Sequence, residues 1–241
     1  MRILVFLCAM KLLLCINRLS DFSNFIQHIV HSSGQLLSPI PDSQASNFIY
    51  HLSYLQHEID ICETGFGLFQ TSYKTTKALS QKKYNLAIKA SFCNAYKPTI
   101  AVGDIVNVIK DKPGDVGMPT TAGFIDLYDS SLLSDESFPH YRRGYVNMNN
   151  SYMNVLLPYK KVVAVTVNQY ADTSSYMLKR DKYQADVETG DGLGFVFACM
   201  YERQPFYQVN SVERNLATDE ENIELAKQKL NEHLLDILQK L

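Results

Sequence analysis

The 241-residue chain has no excess of basic residues: 23 Lys and Arg face 25 Asp and Glu, a formal net charge of −2. Affinity for nucleic acid rests on a positive face that neutralises phosphates, so that class of partner is excluded. There is no internal repeat, no block of like charge and no low-complexity run. With 46% hydrophobic residues the chain can bury a core rather than stay disordered. Cysteines are few and scattered, at Cys8, Cys15, Cys62, Cys93 and Cys199, with no C-x-x-C among them. Neither a zinc site nor a disulfide framework is suggested, and reduced, buried thiols in a cytoplasmic protein are expected.

A long apolar run is missing too. MRILVFLCAMKLLLCIN is interrupted by Lys11, is too short to span a bilayer and leads to no A-x-A cleavage site. No membrane partner or signal peptide is therefore expected, and Arg2 to Cys8 is predicted to be the first, fully buried strand. No G-x-S-x-G elbow, Walker loop or H-E-x-x-H is present. His28 and His31 lie three apart on a predicted helix, but no carboxylate or cysteine joins them at a fitting distance. No metal and no cofactor are expected.

What is present alternates. Apolar, β-rich runs occur at 3–7, 48–54, 58–63, 85–90, 104–109, 162–168 and 206–212. Helical stretches occur at Leu68 to Lys82, Ser174 to Lys182 and Leu193 to Tyr201. This alternation predicts one α/β domain over 1–241 with a parallel or mixed sheet covered on both faces. Ser32 to Ala45 and Lys112 to Thr121 read as long loops. Ile223, Ala226, Leu230, Leu234, Ile237 and Leu241 form the apolar stripe of a last helix, with Thr218 and Glu221 spaced as a capping box.

The segment VETGDGLGF (187–195) carries glycine at 190, 192 and 194. It is not G-x-G-x-x-G, Asp191 would repel a phosphate, and no Lys or Arg follows within a turn, so a phosphate cradle is a poor reading. ADVETGDGLGFVFACMYERQPFYQV instead resembles V-E-x-M-E-G-A-A-F-x-x-V-C followed by P-F-x-Q-I-R. That is a signature of the purine nucleoside phosphorylase and nucleosidase superfamily, in the form seen in futalosine hydrolases and methylthioadenosine nucleosidases. HEIDICETGFGLFQTSYKTTKAL (57–79), KKYNLAIKASFCNAYKPTIAVGDIVNV (82–108) and VVAVTVN (162–168) are similar to further family segments, in the same order. The resemblance implies a three-layer α/β/α fold around a central mixed sheet, a purine nucleoside or related small molecule as ligand, and a homo-oligomer, dimer or larger.

It also implies the site. The family's M-E falls on Gly190 and Asp191, so the methionine against ribose and base has become glycine and the ribose-holding glutamate is one methylene shorter. Glu188, Phe92, Asn94 and Tyr170 are implied ligand-binding positions, with Tyr170 placed to stack on a base or to fill a vacated pocket. Ser91 and Asn94 replace the family's loop glycines. Hydrolysis of an N-ribosidic bond needs a carboxylate to activate water. Alignment on A-M-E-E-E places Leu13 where that glutamate stands, and the first acidic residue in the chain is Asp21. The leaving-group Asp or Asn of R-x-I-S-D falls on Arg214 without gaps, or on Asn210 with a deletion. Glu63 or Glu213 would have to serve as substitute base. Two functions stay open: an N-ribosyl hydrolase with impaired or lost catalysis, or a non-catalytic relative that binds a nucleoside or a protein partner.

Overall fold

In the computed structural model, residues 9–39, 48–121, 123–146, 155 and 158–241 are described. Arg2 to Cys8, predicted as the first strand, and residues 40–45 of the predicted loop from Ser32 to Ala45 lie outside these residues. The strand that leads the described chain is β1, Lys11–Ile16, which lies between β4 (His57–Glu63) and β5 (Leu86–Ala95) and is parallel to both. Its side chains alternate between two cores. Leu12, Leu14 and Ile16 join Phe25, Ile29, Leu230 and Leu234, whereas Leu13 and Cys15 join Ala78, Leu79, Leu193 and Phe195. That period of two is why six nearly continuous apolar residues are needed: both faces of the strand are covered.

The first core lies beneath α1 (Ser23–Ser33) and α5 (Ile223–Lys240), and the second beneath α2 (Leu68–Gln81) and α4 (Gly192–Tyr201). The expected single three-layer α/β/α arrangement is thus present. The sheet runs β13-β12-β6-β10-β11-β5-β1-β4-β3-β2, with β9 beside β6. The strands not yet placed are β2 (Ser38–Pro39), β3 (Ile49–Tyr54), β6 (Ile105–Pro113), β9 (Tyr145–Val146), β10 (Lys160–Thr166), β11 (Val187–Thr189), β12 (Phe206–Asn215) and β13 (Glu220–Glu221). A separate hairpin joins β7 (Gly117–Thr120) to β8 (Gly123–Asp126), where a loop over 112–121 is expected from the sequence. Helix α3 (Tyr176–Tyr183) follows β10.

β12 also pairs with β5, in parallel, so β5, β12, β6, β10 and β11 close into a ring. β5 is longer than its sequence pattern suggests, because the segment compared with the family's glycine loop (Ser91 to Ala95) continues the strand. The predicted capping box is not used. Glu221 belongs to β13, and the cap is Asn222, whose Oδ1 accepts the Leu225 N–H at 3.0 Å. None of the described helices is long and apolar enough to cross a membrane.

Candidate functional site

Residues that follow β1, β4, β10 and β11 meet at one end of the sheet, where ligands of open α/β sheets gather. Asn17, Phe66, Gly67, Asn168, Tyr170 and Asp191 enclose a cavity of about 260 Å³. Phe66 also borders a larger cleft of about 630 Å³, walled by Arg18, Asp21, Phe92, Glu213 and Lys227.

The glycines of 190–194 answer to three different neighbours. A Cβ on Gly194 would stand 2.6 Å from the Leu68 carbonyl, so this glycine lets α4 press against the start of α2. A Cβ on Gly192 would stand 2.1 Å from Gln208 Nε2 and 2.5 Å from Asp111 Oδ2. These two are packing glycines, each required by the close approach of a neighbouring element. Gly190 is different: the Tyr170 hydroxyl lies 2.5 Å from where its Cβ would be, so the tyrosine fills the space of the missing side chain.

Asp191 is held from within the protein. Lys89 Nζ approaches its Oδ2 at 2.6 Å, and Asn17 Nδ2 donates to the same oxygen at 2.9 Å. Lys89 also donates to Asn17 Oδ1 at 3.1 Å and Thr64 Oγ1 at 3.4 Å, and it is fully buried. One ammonium therefore ties the ends of β1, β4 and β11 to the middle of β5. The signal for this in the sequence is slight: one lysine in the apolar run NLAIKA.

Glu188 is equally committed. Asn94 Nδ2 (3.1 Å) and the Tyr96 hydroxyl (2.6 Å) donate to its two oxygens, and the Ala171 N–H lies 3.1 Å from both. Burial and this carboxylate push the Tyr96 hydroxyl pKa up. The structure thus brings Glu188 and Asn94 together as partners of each other, buried, not as groups presented to a ligand.

Leu13 lies inside β1, fully buried between the sheet and α2/α4, and is not at the site. Since β1 ends at Ile16, the residues that follow it are Asn17 to Asp21, and Asp21 is the carboxylate that reaches the cleft. Arg18 grips it through Nε at 3.1 Å and Nη2 at 3.2 Å, and Lys227 Nζ stands 3.7 Å away. The Arg18 guanidinium lies 4.8 Å from the centre of the Phe66 ring. Glu63, the other candidate substitute, accepts the Leu19 N–H at 3.0 Å.

Asn210 is likewise displaced from its expected role. It sits in mid-strand, opposite Ser91, with five residues of β12 still to come, rather than after the last core strand. Its Nδ2 donates to Ser91 Oγ at 3.2 Å and to the Phe92 carbonyl at 3.3 Å, and its side chain is buried. Glu213 does reach the cleft. The β12–β5 register skips from Val212 to Arg214, so Glu213 is a bulge residue re-aimed off the ladder. Burial, then the nearby Glu221 and Asp21 carboxylates, push its pKa up to about 7, against the pull of Lys227. Arg214 bonds Asp219 at 3.1 Å. Phe92 walls the cleft as expected.

Beneath the site, Asp111 is buried with Thr166 Oγ1 donating at 2.8 Å and Gln208 Nε2 at 3.1 Å. Burial raises its pKa to about 7 in spite of these donors, with Asp191 adding to the rise. Among the described residues, no group of three or more His, Cys, Asp or Glu is placed to hold a metal ion.

No protein-family model matches the chain, and no curated protein matches it in sequence. Solved structures do match in fold. The chain is similar to 5'-methylthioadenosine/S-adenosyl homocysteine nucleosidase of Campylobacter jejuni at 13% identity and TM-score 0.77, over 97% of this chain and 100% of that one. A mutant of the Helicobacter pylori enzyme, with 5'-methylthioadenosine in its active site, matches at 12% identity and TM-score 0.78 over the same shares. Native futalosine hydrolase of Helicobacter pylori matches at 14% identity and TM-score 0.73, over 96% of this chain and 98% of that one. The chain therefore has the nucleoside phosphorylase-like fold of these proteins.

Proposed function

We propose that the cavity of about 260 Å³ and the larger cleft that adjoins it at Phe66 together bind a purine nucleoside or a close relative of one, and that N-ribosyl hydrolysis by the usual carboxylates is lost or severely impaired. The Lys89–Asp191 pair carries this reading: the carboxylate at the resemblance's ribose-holding position already has two internal partners, at 2.6 and 2.9 Å. The Asp21 carboxylate is gripped on both oxygens by Arg18, which leaves it poorly placed to take a proton from water. At the leaving-group position the ungapped residue is Arg214, a cation bound to Asp219. What remains for a ligand is aromatic surface from Phe66, Phe92 and Tyr170 beside polar groups, a surface suited to a flat base.

One observation favours surviving hydrolysis: Glu213, with a pKa of about 7, faces the same cleft as Asp21. A carboxyl held protonated by burial, with a second carboxyl in the same cleft, is the arrangement an acid and base pair requires. The test is release of free base from futalosine, methylthioadenosine, adenosylhomocysteine and inosine, with and without phosphate, alongside calorimetric titration of the same compounds. The expected result is binding with no base released. Release in proportion to protein, abolished by Glu213→Gln, would replace the silent reading with the hydrolytic one.

The same reading includes a homo-oligomer. Phe69 and Tyr73 on α2 and Phe197 and Tyr201 on α4 are exposed at four-residue spacing on two packed helices, with Phe138 5.9 Å from the Tyr201 ring. Exposed aromatic faces of this kind mark contacts between proteins. Light scattering coupled to size exclusion is expected to give a dimer or larger, and Phe197→Asp a monomer with an unchanged circular dichroism spectrum. A monomeric parent would remove this part of the reading.

A further inference from the structure

Tyr170 separates two cavities. On one side is the cavity of about 260 Å³ shared with Asn17, Gly190 and Asp191; on the other is one of about 370 Å³. Phe124, Leu178 and Tyr183 line the second, together with Asp115, Lys179 and Lys182.

The charged groups of this second cavity are already engaged. Lys182 Nζ bonds the Phe124 carbonyl at 3.0 Å and Asp129 Oδ2 at 2.7 Å, and Lys179 Nζ bonds the Gln169 carbonyl. The Asp115 carboxylate accepts the backbone N–H groups of Asn168 (2.5 Å) and Gln169 (2.9 Å), and Asn168 Nδ2 at 3.0 Å. What these groups leave for a ligand is apolar: rings, the Leu178 side chain and lysine stems. The volume falls in the range of small-molecule sites.

Those same bonds fix the backbone around Tyr170. Asp115 holds residues 168 and 169 on one side, and Glu188 holds the Ala171 N–H on the other. Between these two anchors the Tyr170 side chain is 51% exposed, its hydroxyl lodged over Gly190. Rotation about its own χ angles is the movement left open to it, and such movement in exposed rings needs no rearrangement of the chain.

We infer that Tyr170 is a side-chain gate between the nucleoside cavity and a second binding cavity, which takes an uncharged apolar group carried by the nucleoside. The inference rests on the nucleoside reading for the first cavity but not for the second. A glycine at 190 is what allows the closed position. Turning the ring away joins the two volumes.

Calorimetric titration of adenosine and N6-benzyladenosine tests the gate, with benzyl alcohol followed by amide shifts in nuclear magnetic resonance as a probe of the second cavity alone. The benzyl nucleoside is expected to bind about tenfold tighter or more than adenosine, the usual worth of one well-placed apolar group. Leu178→Asp, at an exposed position that folding does not depend on, is expected to erase that advantage and leave adenosine binding unchanged. Gly190→Ala, which drives the hydroxyl out, is expected to strengthen binding of the benzyl compound, whereas Tyr170→Phe keeps the gate. Benzyl alcohol is expected to shift the amides of Phe124, Leu178 and Tyr183. Equal affinity for the two nucleosides in the parent and in Gly190→Ala overturns the gate. Absence of benzyl alcohol shifts overturns the second cavity. If benzyl alcohol binds there and neither nucleoside binds at all, the nucleoside reading fails while the apolar cavity stands.

Discussion

Lys89→Met is expected to destabilise the fold by about 3–5 kcal/mol, the usual cost of leaving one member of a buried ion pair without its partner. The reason is local. Asp191 would keep only the Asn17 amide, and Asn17 Oδ1 and Thr64 Oγ1 would lose their donor at the same time. Methionine matches the stem of lysine in length, so the change removes the ammonium without opening a large cavity. Urea unfolding should show a lower midpoint with an unchanged slope, and the melting temperature should fall by about 10 °C. The double variant Lys89→Met/Asp191→Leu should recover much of the loss, since an apolar replacement of both partners removes the stranded charge. A single-variant cost below about 1 kcal/mol would mean that the pair does not hold the site together, and the occupied-carboxylate argument would go with it.

Stability should also depend on pH through Asp111. Its pKa is about 7 in the folded protein against an ordinary 3.8, so the folded state keeps a proton that the unfolded chain has released. More protons bound to the native state make stability fall as pH rises, from about pH 4 up to about 7, and then level off. Glu213 has the same sign over nearly the same window, whereas the lowered pKa of His57 acts oppositely by favouring the fold as pH rises. Comparison with Asp111→Asn isolates the one group. At about 1.4 kcal/mol per unit of pKa, the variant should gain a few kcal/mol relative to the parent between pH 4 and 7.5. The buried Gln208 Oε1 has no partner when Asp111 is an acceptor only. A difference between the two proteins that does not change with pH would show that Asp111 is ionised in the fold.

The layers and most strands were legible because each covered strand must present apolar residues to two cores, and that leaves runs such as LAIKA and VVAVT in plain view. β1 was not, for a physical reason. ILVFL and LLLCI are equally apolar with four residues between them, and it is the pairing of Lys11 opposite Glu58 and Leu12 opposite Leu86 that marks the second run as a strand. The alignment on A-M-E-E-E put Leu13 at the site, whereas Leu13 is buried inside β1 and Asp21, after its end, lines the cleft. The glycines of 190–194 could be seen, but what each one makes room for could not. Tyr170, Asp111 and the Leu68 carbonyl are set against them by the fold and by nothing in the local text. Lys89 and Asp191 are similarly far apart in sequence, and a single polar letter in a strand does not name its partner. Glu213 was legible as a carboxylate but not as a bulge.

The closed ring has a consequence for how the chain is made. β5 leaves the ribosome early but waits for β12, and the bond between Ser91 and Asn210 spans 119 residues. At ordinary synthesis rates that wait lasts on the order of ten seconds. Through it the newborn chain carries β1 and β5 with each face only partly covered, by α1 on one side and α2 on the other, since α4 arrives shortly before β12 and α5 after it. The early half is therefore a client for whatever shields apolar strands during translation, and the arrival of β12 and then of α5 sets the moment at which the protein stops needing that shelter.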